Sequence, residues 1–346
     1  MKADEPWWRP EAHEARRPLL LARNRIRRAF RGWFEARDFL EADPPGLQVS
    51  PGNEAHLHGF ATTLERPDGS SVPRYLHTSP EFALKKLLSA GERRLFSLGH
   101  VWRNREGGPL HSAEFTMLEW YRTGEDYETL MQDCAALVAL AAREAGADVL
   151  RWRAAECDPF APPERVDLAG AVQRHAGIDL MATIRPDGST DAGALRRAMG
   201  QAGLGVAADD GWSDMLSRIL VAKVEPHLGH GRMTILDRYP VAEAALARPA
   251  PDDPRLAERF ELYACGVELA NGFGELTDPV VQRARFEAEM EEKARIYGDR
   301  YPLDEAFLSA LATMPEASGI AMGFDRLVLL ATGAPRLDMV QWAPGD

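Results

Sequence analysis

Apolar residues at helical spacing open the chain: Leu19, Ala22, Ile26, Ala29, Phe30, Trp33 and Phe34 share one face and predict a helix over residues 18–37. A short extended run from Phe39 follows and stops at Pro44-Pro45, because proline pushes the residue before it out of the α region. In Leu76-His77-Thr78-Ser79-Pro80-Glu81, Ser79 suits an N-cap and Pro80 the first helical position, and Phe82, Leu84, Leu87 and Leu88 carry a helix to Gly91. The β-prone runs Leu95 to Trp102 and Phe115 to Tyr121 flank the turn sequence Gly107-Gly108-Pro109, which predicts an antiparallel hairpin. Leu130, Cys134, Leu137, Val138 and Ala141 then mark an amphipathic helix that closes at Gly146.

Residues 147–255 are rich in Ala, Asp, Pro and Gly and predict short helices at residues 168–176, 192–202 and 212–224. The segment reads as a helical insertion with connecting stretches. Beyond it, Arg259 to Pro279 is extended, apolar and marked by Gly266, Gly272 and Gly274, where a bulge or close approach is expected. A helix over residues 281–297 follows. Ser318 to Leu327 reads as a strand, a glycine kink and the start of a helix.

Composition narrows the classes. The 346 residues are 45% hydrophobic, enough for one large core or two modest ones, and the formal charge of −12 argues against binding driven by a nucleic-acid backbone. A local excess of Lys and Arg in residues 1–40 reads mainly as a solvated helix face. Cys134, Cys157 and Cys265 are too far apart for a zinc site or disulfide framework. His56 and His58 lack a third ligand. No apolar run reaches the roughly 20 residues of a membrane span, and the first residues lack a signal-peptide core, so the expected location is cytoplasmic.

Three stretches carry candidate chemistry. The hairpin places Arg103, Arg105, His111 and Glu114 together, either as a clamp for a nucleotide or as an ordinary charged loop. Glu261, Glu268 and Glu275 interrupt an apolar stretch at seven-residue spacing, which brings them together only if a bulge or turn intervenes; hard oxygen ligands there suit Mg²⁺ carrying a nucleotide phosphate. At Gly323-Phe324-Asp325-Arg326, backbone N–H groups and a guanidinium can grip one phosphate.

Taken together, TSPE at 78–81, EFTMLEWY at 114–121, VELANGFGEL at 267–276 and GIAMGFDRL at 319–327 resemble the class II aminoacyl-tRNA synthetases, in particular the lysyl branch, from about Leu19 to the C-terminus. The resemblance implies an α+β catalytic domain over residues 19–346, an antiparallel β-sheet flanked by helices, after an N-terminal extension of residues 1–18. With the first signature helix at residue 19, no anticodon-binding OB-fold is expected. The chain is most similar to stand-alone members of that branch that attach lysine or (R)-β-lysine to a lysine of elongation factor P; ELANGF, EFTMLEWYR and Ala321 carry this likeness.

The resemblance also implies roles. Arg103 and Arg326 are the catalytic arginines, holding the α- and γ-phosphates of ATP, with His111 beside Arg326 and Phe115 stacked on adenine. Asn104, Arg105, Glu106, Leu269 and Gly323 complete the nucleotide set, and Glu261 and Glu268 hold Mg²⁺. Glu275 and Tyr121 receive the substrate's distal ammonium, Ser79, Glu81 and Asn271 its other polar end, and Ala321 narrows the pocket. Two departures stand out: Arg105 occupies a position where relatives carry Glu, with Glu106 one place later, and Ser112-Ala113 replaces Asn-Pro before Glu114. A homodimer is implied, and tRNA is not an expected partner. An enzyme loading tRNA or another carrier, or an inactive synthetase-fold regulatory subunit for which Arg105 argues, are the competing readings.

Overall fold

The computed structural model describes residues 6–345. An eight-stranded sheet forms its centre. In chain order the strands are β1 Leu40–Glu41, β2 Arg94–Trp102, β3 Glu114–Thr123, β4 Glu164–Asp167, β5 Thr234–Asp237, β6 Arg259–Ala264, β7 Val267–Gly274 and β8 Ala317–Gly323. They lie in the order β1-β2-β3-β8-β7-β6-β5-β4. The inner pairs are all antiparallel, whereas β1 and β4 join the two edges in parallel. The helices are α1 Pro10–Glu35, α2 Glu81–Ser89, α3 Tyr127–Ala145, α4 Leu168–Ala176, α5 Ala192–Gln201, α6 Trp212–Ile219, α7 Pro279–Tyr297, α8 Glu305–Leu311 and α9 Phe324–Thr332. Among the described residues there is no five-stranded barrel.

Strand alternation sorts the two faces of the sheet. Leu118 and Trp120 of β3, Ile320 and Met322 of β8, and Phe260 and Leu262 of β6 point one way and pack on Phe30 and Phe34 of α1, Leu137 of α3 and Leu327 of α9. The residues between them, Met117, Glu119, Tyr121, Gly319, Ala321 and Asn271, face a cleft. Helices α2, α7 and α8 cover only one end of that second face, with Leu84, Phe286 and Phe307 in their core. The middle of the sheet is therefore left open.

Several boundaries differ from those the sequence predicts. Helix α1 begins at Pro10 and runs through Pro18 without a break, so the expected domain boundary at residue 19 falls inside a helix. Residues 1–5 of the expected extension lie outside the described residues. Helix α2 starts at Glu81 with Pro80 just ahead of it, one position later than the capping pattern suggests. The segment 147–255 holds the three expected helices, packed around Trp212, Met215 and Leu195, but it also supplies β4 and β5 to the main sheet. Those strands are only four residues each, too short to register as periodic patterns.

Candidate active site

The cleft of ≈ 360 Å³ over the open face is built from four adjacent strands plus the loop before β3 and the first turn of α9. Register makes its floor. Glu119 of β3 pairs with Ala321 of β8, Ala321 with Asn271 of β7, and Asn271 with Glu261 of β6, so one row of side chains crosses the sheet. Glu268 joins the same face because the β6–β7 register shifts between Leu262 and Tyr263, placing Glu268 opposite Tyr263. The bulge that the carboxylate spacing requires is thus present, and it serves the pair Glu261 and Glu268.

At one end of the row sits Arg326. Its Nη1 donates to the Glu268 carbonyl at 2.9 Å, its Nε to the Leu110 carbonyl at 3.2 Å, and its Nη2 lies 2.7 Å from His111 Nε2. Burial, and then the Arg326 charge, lowers the His111 pKa, so the neutral ring accepts at Nε2 and carries its proton on Nδ1. The start of α9 is fixed from behind: Asp325 is buried against Arg23 of α1 at 2.5 Å and accepts from the Thr116 N–H at 3.2 Å. Arg103 donates to the Thr78 carbonyl at 3.3 Å, and its guanidinium lies 5.4 Å from the centre of the Phe115 ring. Glu106 and Ser112 line the same end.

Glu261 accepts from Tyr239 at 2.6 Å, Tyr263 at 2.7 Å and Arg259 at 2.6 Å. Burial and the neighbouring Glu261 charge push Glu268 up to about 7, against the pull of Arg326. Among the described residues no three His, Cys, Asp or Glu side chains cluster into a self-sufficient metal site. Magnesium, however, is commonly held by one or two carboxylates together with phosphate oxygens. Two crowded carboxylates, one reluctant to ionise, fit that ion, since a cation between them relieves their repulsion.

The other end of the cleft is acidic. Glu119, 1% exposed, accepts from Ser79 Oγ at 2.5 Å and from Tyr121 at 3.2 Å. Burial first, then Glu81, raises its pKa to about 8. Glu81 is held by Lys85 at 2.5 Å, and Asn271 Oδ1 accepts from Arg259 at 3.3 Å. Ala321 sits between Glu119 and Asn271. A side chain at Gly319 would collide with Glu275 Oε1 and the Tyr121 ring, so only glycine keeps this end open.

The structure moves four expected residues. Arg105 adopts a left-handed conformation (φ 65°), is exposed, and lies 5.5 Å from the Tyr297 ring, outside the cleft. Asn104 turns its side chain to the Arg105 N–H at 2.9 Å and is also outside. Glu114 is on the opposite face of β3 from Phe115 and pairs with His100 at 3.0 Å. Glu275 is not on the open wall: it is 2% exposed, behind Gly319, in contact with Lys85. The remaining expected residues all line the cleft. Sequence reasoning missed Glu54, Glu119, Arg259 and Lys85. Alternation from Phe115 through Met117 to Tyr121 puts Glu119 on the cleft face, and Lys85 stands one helical turn from Glu81; both signals were legible.

With this geometry in view, the comparisons decide the family. The model of the class II tRNA synthetases (D, K and N) matches residues 8–345. The chain belongs to that family. It is 38% identical over 99% of its length, and 98% of the relative's, to an elongation factor P (R)-β-lysine ligase of Sodalis glossinidius. Ligases of the same description from Erwinia tasmaniensis and Salmonella arizonae are each 37% identical, over 98% and 95% of this chain and 97% and 95% of theirs. The synthetase-family chain is accordingly an enzyme of the ligase kind. Among its described residues no helix is long and apolar enough to cross a membrane.

Proposed function

We propose that the chain activates lysine or (R)-β-lysine with ATP, forming an aminoacyl adenylate and pyrophosphate, and transfers the acyl group to a lysine side chain of elongation factor P in the cytoplasm. The observation that carries this reading is the polarity of the cleft: arginines and a crowded carboxylate pair at one end, and a buried acidic pocket closed by Tyr121 at the other. An amino acid with a distal ammonium fits across it in one direction only. Its carboxylate then meets the α-phosphorus beside Arg103, while Arg326 and neutral His111 hold the γ-phosphate and Phe115 stacks on adenine. No protein nucleophile is required; the residues contribute position and fixed charge. Mg²⁺ held by Glu261 and Glu268 would neutralise phosphate charge as pyrophosphate departs. A neutral acceptor amine then attacks the adenylate carbonyl, the acyl–phosphate bond breaks to release AMP, the amine nitrogen gives up a proton, and an amide results.

The placement of Arg105 outside the cleft removes the main argument for an inactive regulatory subunit. Pyrophosphate exchange with α- and β-lysine tests activation, and intact-mass measurement of elongation factor P against charging of tRNA tests the acceptor. No exchange with either amino acid, or charging of tRNA alone, would overturn the reading.

Ala321, between Glu119 and Asn271, is the residue through which we assign the substrate backbone. Ala321→Gly is expected to improve α-lysine relative to β-lysine by about 1–3 kcal/mol in kcat/KM, the worth of one methyl group in a pocket. An unchanged ratio would remove this role. A homodimer through α1 and the segment after it is part of the same proposal, supported by exposed Leu40, Leu47 and Val49. Sedimentation velocity distinguishes it from a monomer.

A further inference from the structure

Behind the acidic end of the cleft lies a buried cation of the chain's own. Lys85 is 1% exposed, and its Nζ lies 2.5 Å from Glu81 Oε1 and 2.5 Å from Glu275 Oε2. Glu81 stands one turn earlier on α2, whereas Glu275 follows β7, so the lysine ties helix to sheet. Burial opposes its charge, and the two carboxylates more than offset this, holding its pKa above the ordinary lysine value. Glu275 Oε2 faces the Lys85 ammonium as a buried, charge-assisted pair. Burial pushes Glu275 up to about 7 even against the pull of Lys85.

The charged groups facing this point come from several elements, with Glu54 close to Glu81 and Arg103 acting on both Glu54 and Glu119. Glu81 is on the lysine's own helix, Glu119 and Tyr121 come from β3, and Glu275 and the more distant Arg248 act from the far side. Lys86, the next residue, turns away to Asp304 at 2.5 Å. Without Lys85 these carboxyl groups would share a largely buried pocket, and protons would be taken up to relieve their repulsion.

We propose that Lys85 is a positioning residue for substrate recognition: its buried ammonium, in contact with both Glu81 and Glu275, fixes the two side chains and opposes proton uptake by the pocket, so that a diamino acid displaces fewer protons when it binds. This rests on the activation reading above. The substrate's ammonium groups would complete the neutralisation that one lysine leaves unfinished among Glu54, Glu81, Glu119 and Glu275, while the substrate's carboxylate lies toward Arg103.

The test is pyrophosphate exchange by the full chain between about pH 6.5 and 8.5. In Lys85→Met, amino-acid binding must expel about one proton more than it does from the wild-type pocket. The KM for lysine or β-lysine is therefore expected to rise about tenfold or more near neutrality. The excess should shrink about tenfold per pH unit on the alkaline side. The KM for ATP and kcat at saturation should stay within about twofold. Lys85→Gln keeps a donor between the carboxylates without the charge and carries the same expectation if the methionine variant does not fold; Lys85→Arg should recover most of the affinity. A KM raised by one factor at every pH, or a kcat loss at unchanged KM, would reduce Lys85 to a packing role and overturn the proposal. Wild-type chain inactive with every diamino acid would sink the activation reading itself, and this proposal with it.

Discussion

Arg326→Ala is expected to lower amino-acid-dependent pyrophosphate exchange by about 10²–10³-fold, the usual consequence of removing a preorganised donor from a transition state. The guanidinium has five N–H donors in a rigid fork. Nε, Nη1 and Nη2 meet Leu110, Glu268 and His111, which belong to the hairpin loop and β7, while Arg326 itself starts α9. The side chain itself lines the cleft. Arg326→Lys should recover little, because one ammonium cannot span three acceptors. The KM for ATP should rise in both variants, since the loop carrying His111 loses its anchor. Exchange within about threefold of wild type in Arg326→Ala would remove Arg326 from the catalytic set.

The substrate-free protein should lose stability as pH rises from about 6 to 8.5. Glu119 is pushed up to about 8, chiefly by burial, from an ordinary carboxyl value of 4.5. A carboxyl whose pKa is higher in the folded state stabilises fully below its unfolded pKa, and that contribution disappears as pH passes through the folded value. Over this window Glu119 alone accounts for about 2–3 kcal/mol, with Glu275 and Glu54, both pushed up to about 7 and mainly by burial, adding at the lower end. Urea midpoints at several pH values measure the slope. Glu119→Gln cannot titrate and should show a clearly shallower one. Equal slopes for the two proteins, or a wild-type midpoint that is flat, would mean that Glu119 does not titrate in this range. Lysine added to the wild type should reduce the slope, because a bound ammonium favours the ionised carboxylate.

How much of this was legible in the sequence depends on how local each signal is. The hairpin of β2 and β3, helix α3 and the turn into α9 were readable because period-two alternation, helical spacing and glycine stops are properties of neighbouring residues. The acidic stretch announced that its spacing needed a bulge, and the register shift beside Tyr263 supplies it. The edge strands β4 and β5 were not readable, since four residues hold no period and their partners are far away in the chain. Arg105 was misplaced for a related reason: a motif position names a residue, but its left-handed backbone and contact with Tyr297 decide where the side chain goes.

The sequence by itself determined the family, the strands that carry the cleft and most of its lining, because those depend on local periodicity and on motif residues at fixed order. Only the tertiary structure decided which carboxylates are open and which are locked. Glu275 and Glu268 look alike along the chain. One is buried against Lys85 from a helix nearly two hundred residues earlier, and the other faces the cleft beside Arg326. Charge in a protein is set by what surrounds it in space, and burial, partner and register exist only once the sheet has formed.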